Sequence, residues 1–416
     1  MYIDSKKLNG PCSCGRSHEM ITRAAVIESG CMKEFEHYMK EFGLTGKRAA
    51  VYDRNTYKAK GLTRPAADQE IILDPVNLHA NELATAEVLR QLDPDVELLV
   101  AVGSGTIHDT TRYCAHKRGI PFVACPTAAS VDGFCSTVSA MTWEGYKKTM
   151  PGVAPELVLA DIDVIKEAPA ALALSGVGDI LGKYTALADW KIAHALTGEF
   201  FCPVIEGMTR DAVRAVYGCC EKIGEKDEEA YTQLTYGLLL SGLAMQLMGN
   251  SRPASGAEHH ISHIIEMEPP LLHVHSTASH GEKVGVGAAI VSGEYHRLVQ
   301  IQDIAPLVRP YRFLPMEELS ALYGETLLPS MMEENRSDCM DGVTPEMLIK
   351  AWPEICKIIE EVPTREELLD LYTRIGAKKT LEDIEVPSDR LEALLKYSPS
   401  VRNRLTLMRV RWMIGN

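Results

Sequence analysis

Short apolar and β-branched runs alternate with longer stretches of helical character between Lys47 and Ile165. We predict strands over residues 49–53, 71–74, 98–103, 121–126 and 157–162. Strands that are this continuously apolar are typical of a parallel sheet covered by helices on both faces. The alternation therefore predicts an α/β domain of the nucleotide-binding type.

After Lys166 the composition changes, because Ala, Leu, Met and Glu predominate and β-branched runs almost disappear. Helix starts are predicted at Thr344-Pro345 and at a capping box between Thr364 and Glu367. A chain of 416 residues exceeds the usual size of one hydrophobic core. We therefore predict an α/β dinucleotide-binding domain over residues 1–165 and an all-α metal- and substrate-binding domain over residues 166–416, with the active site in the cleft between them.

Net charge, hydropathy and cysteine content limit which binding partners and which cellular compartment we expect. A formal net charge of −14 argues against nucleic acid or an anionic membrane as the main partner, although a local basic pocket could still hold an anionic substrate. No apolar run reaches the length of a transmembrane helix, and the N-terminal segment lacks the apolar stretch of a signal peptide. The 11 scattered cysteines fit reduced thiols. We expect a cytoplasmic protein.

Six of the 13 histidines lie between His259 and His280. The preceding Ser255 and Glu258 have the spacing of a capping box that would begin a helix at these histidines. His259 and His263, four residues apart, would then share one face of that helix. Because histidine is the commonest metal ligand, the cluster predicts a metal site.

The other histidines of this segment have simpler interpretations. His260 points about 100° away from His259 on a helix and is expected to pack or face solvent. His273 and His275 flank a proline-rich turn and are expected to be polar loop residues. Cys12, Cys14 and His18 offer three metal ligands at close spacing, but we favour an exposed turn there.

A glycine-containing turn follows the third predicted strand. Gly103 and Gly105 stand between that strand and a helix that carries Asp109, where backbone N–H groups could meet a pyrophosphate. A tight turn without any ligand explains the two glycines equally well. The next strand ends in small and hydroxyl residues from Thr127 to Gly133, and ligands of open α/β sheets bind at such strand ends. Together, the two strand ends favour a nucleotide site.

Asp179 is the candidate for a further metal ligand. It lies in an Ala- and Leu-rich helical stretch, where burial of a carboxylate requires a cation or hydrogen-bond donors. An exposed pair with Lys183 is the simpler alternative. With two histidines, Asp179 would complete a three-ligand site with an open position, which suits catalytic zinc and leaves nickel or iron possible.

Five motifs occur in a family-specific order: GSGTIHD, PTAASVDGF, SGVGDILGK, SGAEHHISH and HGEKVGVG. In order and spacing they resemble the glycerol-1-phosphate dehydrogenases, most closely the bacterial type. That family belongs to the metal-dependent alcohol dehydrogenase and dehydroquinate synthase-like superfamily. The motifs span roughly residues 45–300 of this chain.

The resemblance implies roles for individual residues. Asp179, His259 and His280 correspond to the metal ligands, and zinc or nickel is the implied metal. His263 and Asp179 correspond to catalytic residues, and Asp132, Asp179 and His263 correspond to residues that contact the substrate. Asp53 corresponds to the acid at the adenosine ribose. The dinucleotide-binding positions are Gly103, Gly105, Thr106, Ile107, His108, Asp109, Thr127, Ala128, Ala129, Ser130 and Ser136.

The implied reaction is the reversible, metal-dependent reduction of dihydroxyacetone phosphate to sn-glycerol 1-phosphate with NAD(H) or NADP(H), a step of phospholipid metabolism. Arg252, Lys183 and Lys283 are candidate phosphate ligands. We expect a homo-oligomer, a homodimer or larger. The alternatives are a glycerol or polyol dehydrogenase, a dehydroquinate synthase-like lyase, or a metal or nucleotide sensor without catalysis.

Overall fold

The computed structural model describes residues 1–301 and 303–415. The strands are β1 Tyr2–Asp4, β2 Gly10–Pro11, β3 Ser17–His18, β4 Ala24–Glu28, β5 Arg48–Asp53, β6 Gln69–Leu73, β7 Leu98–Gly103, β8 Phe122–Pro126, β9 Val138–Trp143, β10 Tyr146–Pro151 and β11 Leu157–Asp161. The α-helices are α1 Phe35–Glu41, α2 Glu82–Gln91, α3 Gly105–Arg118, α4 Ile162–Ile165, α5 Ala170–Leu181, α6 Lys183–Thr197, α7 Pro203–Tyr217, α8 Glu228–Met248, α9 Ala257–Met267, α10 His280–Val299, α11 Met316–Glu334, α12 Pro345–Ile359, α13 Arg365–Ile375, α14 Leu391–Tyr397 and α15 Leu407–Val410.

Seven strands form one sheet in the order β1-β4-β11-β8-β7-β5-β6. Six of them run parallel, and only the edge strand β1 is antiparallel to its neighbour β4. The chain passes from β5 outward to β6 and then returns to the other side of β5 at β7. Ligands of open α/β sheets bind outside the carboxyl ends of the strands at such a reversal.

The predicted fold class is confirmed. All five predicted strands are present as β5, β6, β7, β8 and β11, and no strand follows Asp161 in the described part of the chain. Sequence analysis missed β4, a buried parallel strand of the same sheet, and the hairpin of β9 and β10. Both predicted helix starts are correct, since Thr344 and Thr364 are N-caps.

The described residues form two compact units. The first contains Met1–Trp143, Lys147–Ile180 and Val204–Ser251, and the second contains Glu144–Tyr146, Leu181–Pro203 and the described chain from Arg252 onward. The predicted boundary near residue 165 differs from this division, because α5, α7 and α8 lie almost entirely in the first unit. None of the helices over residues 1–301 and 303–415 has the length and apolar character needed to cross a membrane.

Close backbone contacts hold the helices of the first unit to the loop after β8. A Cβ atom at Gly176 of α5 would overlap the Ala129 carbonyl oxygen. One at Gly242 of α8 would lie 2.7 Å from the Asp132 carbonyl oxygen. Glycine therefore lets both helices approach this loop closely. This packing places α5 and α8 with the sheet, although their composition resembles that of the helical half.

A buried carboxylate joins four segments of the second unit. Asp189 of α6 accepts hydrogen bonds from the Ala257 N–H (2.9 Å), the Tyr295 hydroxyl (2.6 Å) and the Leu407 N–H (2.8 Å). These donors belong to the first residue of α9, to α10 and to the first residue of α15. Hydrogen bonds to a fully buried carboxylate are stronger than those between neutral groups. Asp189 therefore fixes where α9 begins.

We predict that Asp189→Asn destabilises the second unit. The new amide NH2 group would face at least one donor that now meets an oxygen, which costs about 2–3 kcal/mol for a buried unsatisfied donor. Tryptophan fluorescence during urea unfolding measures this loss, because Trp190, Trp352 and Trp412 all lie in the second unit.

Asp211→Asn is the matched control, because Asp211 lies on the exposed face of α7, 3.6 Å from Arg214. Exposed ion pairs contribute about 0.2–1 kcal/mol, so the control should unfold close to the wild-type urea midpoint. Equal midpoints for Asp189→Asn and Asp211→Asn would contradict the assigned role of Asp189.

Candidate functional site

Helix α9 carries the first three histidines of the cluster. The predicted capping box is wrong, because the N-cap is Gly256 and not Ser255, and no side chain caps this end. Glu258 does not turn back to the N–H of Ser255; its carboxylate instead accepts the Gly256 N–H at 2.7 Å. A Cβ atom at Gly256 would lie 2.6 Å from a carboxylate oxygen of Asp189. Glycine is needed here because two carboxylates crowd this residue.

Glu258 orients the His259 ring. The Nδ1 atom of His259 lies 2.7 Å from Glu258 Oε1, and the Thr185 hydroxyl donates to Glu258 Oε2 at 2.6 Å. Burial by itself raises the pKa of Glu258, but the hydrogen bonds from His259, Thr185 and Gly256 lower it below its usual value. The carboxylate is therefore ionised and accepts the Nδ1 proton of His259, which leaves the Nε2 lone pair available to a metal.

His280 has the same arrangement at the first residue of α10. Its Nδ1 atom lies 3.0 Å from Glu266 Oε1 and 3.3 Å from the Ser262 hydroxyl. A true capping box between Ser279 and Glu282 fixes the start of α10 and with it the position of His280. With Nδ1 held by a carboxylate, Nε2 is again the nitrogen that can coordinate a metal.

The rings of His259, His263 and His280 lie side by side. Their centroids are 5.3 Å apart for His259 and His280, 5.9 Å for His259 and His263, and 5.7 Å for His263 and His280. One ligand atom each from His263, Glu266 and His280 lies within 4.8 Å of the others. The contact between Glu266 and His280 Nδ1 accounts for part of that proximity. The spacing of His259 and His280, each with Nδ1 facing a carboxylate, fits two ligands of one metal ion bound through Nε2.

His263 differs from its two neighbours. Its Nδ1 atom has no hydrogen-bond partner in the described part of the chain. Burial, followed by the charge of Arg402, lowers its pKa well below 6.5. His263 is therefore a neutral imidazole near pH 7, able to accept a proton at one nitrogen and donate from the other.

His260, His273 and His275 belong to none of the groups of candidate metal ligands in the described part of the chain, and the structure shows which of them are buried. His260 is fully buried rather than solvated, and burial lowers its pKa well below 6.5. His273 is an exposed loop residue with a φ of 47°. His275 is also exposed and pairs with Glu268 at 2.6 Å.

Asp179 lies on α5 in the first unit and is 1% exposed. Its Oδ2 atom accepts the backbone N–H of Asp132 at 3.0 Å, and the neighbouring Ser175 hydroxyl donates to the Ser130 carbonyl at 3.1 Å. The alternative of an exposed pair is excluded, since Lys183 is also fully buried. Asp179 therefore links α5 to the loop that follows β8.

The loop after β8 contains most of the remaining candidate residues. The Thr127 N–H donates to the Gly103 carbonyl at 2.9 Å, so the ends of β7 and β8 are joined directly. Asp132 is buried, and its Oδ2 atom accepts the Ser241 hydroxyl at 2.8 Å. The Ser136 hydroxyl oxygen accepts the Val138 N–H at 3.1 Å. These bonds hold the loop in one conformation beside Asp179.

The glycine turn between β7 and α3 is also tightly packed. A Cβ atom at Gly103 would lie 2.7 Å from Ile107, and one at Gly105 would lie 2.9 Å from Val131. Ser104 is the N-cap of α3 without a side-chain cap bond, so the helix end presents its N–H groups. This geometry suits a pyrophosphate.

His108 has a side chain directed into the protein. It is 1% exposed, its ring lies 4.8 Å from that of Phe134, and burial lowers its pKa to about 3. Its Nδ1 atom contacts the Ser104 carbonyl at 2.9 Å. The neighbouring Asp109 pairs with Arg112. Neither side chain has the solvated position expected of a residue that reads a nucleotide, so any contact there would use the backbone.

Asp53 ends β5, next to β7 in the sheet. Its Oδ1 atom accepts the N–H groups of Asn55 (2.7 Å) and Thr56 (2.9 Å). The carboxylate therefore stabilises the turn after β5. Because β5, β7 and β8 are parallel neighbours, Asp53, the glycine turn and the loop after β8 lie at the same edge of the sheet.

The three candidate phosphate ligands are not solvated surface charges, because Lys183, Arg252 and Lys283 are all buried. The Arg252 guanidinium donates to the carbonyls of Asp189 and Leu405. Lys283 Nζ lies 3.9 Å from Glu266 Oε1.

Three residues that shape the candidate site were not predicted. Glu258 and Glu266 orient the two histidine rings, and Arg112 shapes the loop after β8. Arg112 is fully buried and donates to the carbonyls of Gly133 (2.6 Å) and Phe134 (3.0 Å), which shapes the loop after β8. Glu258 gave a usable signal, since a carboxylate directly precedes His259 and metal-bound histidines commonly donate to carboxylates. Arg112 gave none.

Comparison with known proteins identifies the family. The model of the iron-containing alcohol dehydrogenase family matches residues 26–169. A Bacillus licheniformis protein named glycerol-1-phosphate dehydrogenase (NAD(P)+) is 31% identical over 97% of this chain and 92% of its own length. A Geobacillus thermodenitrificans protein of the same name is 36% identical over 79% of this chain and 75% of its own length.

Solved structures agree at the level of the fold. The crystal structure of an iron-containing alcohol dehydrogenase from Corynebacterium glutamicum has a TM-score of 0.60 at 16% identity, covering 96% of this chain and 97% of that one. The assignment to a family within this fold rests on the Bacillus licheniformis protein, which is 31% identical over nearly the full length of both chains. The chain belongs to the glycerol-1-phosphate dehydrogenase family, within the iron-containing alcohol dehydrogenase superfamily.

Proposed function

We propose that this protein catalyses the reversible NAD(P)-dependent reduction of dihydroxyacetone phosphate to sn-glycerol 1-phosphate at a divalent metal ion. The observation that carries the proposal is the pair His259 and His280, each with Nδ1 facing a buried or half-buried carboxylate, which assigns coordination to Nε2. The names of the Bacillus licheniformis and Geobacillus thermodenitrificans relatives supply the substrate and the nucleotide.

The metal ligands in this proposal are Asp179, His259 and His280. Two imidazole nitrogens and one carboxylate oxygen suit zinc or nickel, and three protein ligands leave a position for the substrate. When bound, the metal supplies Lewis acidity that polarises the substrate carbonyl and stabilises the negative charge that develops on its oxygen. The chain contributes rigidity, because Glu258 and Glu266 fix the two histidine rings before any metal binds.

We propose that His263 relays a proton between water and the substrate oxygen. It lies one helical turn beyond His259, and its low pKa keeps it neutral at physiological pH. A neutral imidazole can relay the proton: one nitrogen gives its N–H proton to the oxygen that becomes the product hydroxyl while the other nitrogen accepts a proton from water, so the ring stays neutral. Asp132, held by Ser241 and by Asp179, is proposed to hydrogen-bond the substrate hydroxyl. Among the buried lysines, Lys283 follows His280 by three residues on α10, and we propose that it pairs with the substrate phosphate.

The first unit is proposed to bind the nucleotide, which supplies the hydride. The N–H groups at the start of α3 and the loop from Thr127 to Ser130 would hold the pyrophosphate. Asp53 uses Oδ1 for its own turn, so Oδ2 would meet the adenosine ribose. A carboxylate at this position suits a free 2′-hydroxyl and favours NAD(H) over NADP(H). The homo-oligomeric state, the cytoplasmic location and the role in phospholipid metabolism stay predictions.

We predict that the purified, metal-loaded protein oxidises NADH in the presence of dihydroxyacetone phosphate and releases sn-glycerol 1-phosphate. Parallel assays with dihydroxyacetone, glycerol and the lyase substrate of dehydroquinate synthase separate the other activities known on this architecture. Chiral analysis of the product identifies the stereoisomer. Turnover of glycerol alone, or metal binding with no NADH oxidation on any substrate, would contradict the proposal.

His259→Ala and His275→Ala are the matched controls for this assay. The first removes a proposed ligand and should abolish both metal binding at the candidate catalytic site and turnover. The second removes an exposed histidine of the same segment and should leave both unchanged.

We also predict that Glu258→Gln weakens metal binding. The amide can still accept the Nδ1 proton of His259 and donate to the Thr185 hydroxyl, so the fold should persist. Loss of the charge should lower metal affinity by about 10- to 100-fold, as for other outer-shell partners of metal-bound histidines. Competition with a chromophoric chelator measures the affinity.

The control is Glu268→Gln, which alters an exposed carboxylate–histidine pair of the same chemistry. It should bind metal like the wild type. Saturating metal should restore much of the turnover of Glu258→Gln, as expected of a positioning residue. Wild-type metal affinity in Glu258→Gln would show that its contact with His259 does not support a metal site.

A further inference from the structure

A small hairpin near the N-terminus gathers three metal-binding side chains. Strands β2 and β3 pair antiparallel, with Gly10 opposite His18. The turn between them is closed by hydrogen bonds from the Cys12 N–H to the Arg16 carbonyl and from the Gly15 N–H to the Cys12 carbonyl. One ligand atom each from Cys12, Cys14 and His18 lies within 4.8 Å of the others.

His18 has a fixed and buried orientation. It is 6% exposed, so the turn is not the fully exposed one that the sequence suggested. Its Nδ1 atom lies 3.1 Å from the Leu247 carbonyl, which can only accept, so Nδ1 carries the proton. Nε2 then has the lone pair and lies 3.3 Å from Cys14 Sγ. A histidine that donates Nδ1–H to a carbonyl and presents Nε2 to a thiol has the arrangement of a metal ligand.

The hairpin has no hydrophobic reason to be ordered. Residues 10–19 read GPCSCGRSHE, with no large apolar side chain. The chain is anchored just beyond it, where Gln246 of α8 accepts the N–H groups of Ile21 (2.6 Å) and Thr22 (3.0 Å). Ordering the backbone of each residue costs about 1–2 kcal/mol, and this segment buries little apolar surface in return. A bound metal would supply the missing free energy.

We propose that Cys12, Cys14 and His18 bind a structural zinc ion, separate from the proposed catalytic metal. Two thiolates and an imidazole are the ligand types that zinc takes in structural sites, and thiolates discriminate against magnesium and calcium. The fourth tetrahedral position is filled by water or by a further donor. Binding releases the two thiol protons to solvent, involves no change of oxidation state and ties the hairpin to α8 through His18.

Cobalt substitution tests this proposal without using activity. Co²⁺ bound by thiolates has an intense sulfur-to-metal charge-transfer absorption in the near ultraviolet, whereas the nitrogen and oxygen ligands proposed for the catalytic site have none. We expect this absorption in the cobalt-loaded wild type and in His259→Ala, and its loss in the double variant Cys12→Ser/Cys14→Ser. The matched control, Cys219→Ser/Cys356→Ser, should retain it, since these are also partly buried thiols.

Three outcomes would overturn the proposal, and the first needs no variant. The wild type lacks the charge-transfer absorption, or the Cys12→Ser/Cys14→Ser variant retains it. A Cys12–Cys14 disulfide in the native protein, detected by mass spectrometry, would overturn it equally. In support, chelation of the wild type should expose the chain to trypsin at the exposed Arg16, and zinc should restore protection. The absorption reports only on the hairpin site, and turnover reports only on the catalytic site. Either proposal can therefore fail while the other is supported.

Discussion

The hydrogen bond between Glu258 and His259 is the contact on which the candidate site depends. A carboxylate that is fully buried would ordinarily be neutral, but three donors meet Glu258 and keep it ionised. The same contact fixes the proton of His259 on Nδ1. Helix α9 begins without a side-chain cap because its N-cap, Gly256, has no side chain; Glu258 accepts the Gly256 N–H in addition to holding His259.

Asp189 is the second buried carboxylate beside Gly256. Burial, and then the nearby charge of Glu258, raise the pKa of Asp189 to about 7, although three hydrogen bonds oppose the shift. Two buried carboxylates thus flank Gly256, and one holds a ligand ring while the other holds the start of its helix. Residues of α6, α9, α10 and α15 converge on this point. The hydrogen bonds of these two carboxylates therefore hold the start of α9 and the His259 ring in place.

Features that depend on residues close together in the sequence were predicted correctly, whereas features that depend on tertiary contacts were not. The five strands and the caps at Thr344 and Thr364 follow from short patterns, and they are correct. The cap at Ser255 was wrong because Glu258 is held by its neighbour His259 and by Thr185 of α6, and the second of these is a tertiary contact. The packing of α5 and α8 with the sheet depends on close approach at Gly176 and Gly242, which composition does not reveal.

The most direct measurement is anomalous diffraction at the metal absorption edge from crystals of the zinc- or nickel-loaded protein. The account predicts a peak about 2.0–2.2 Å from Nε2 of His259 and of His280, and from a carboxylate oxygen of Asp179. It further predicts that Nδ1 of His259 stays on Glu258. A metal bound through Nδ1 of His259, or a peak that lacks either histidine, would contradict the account.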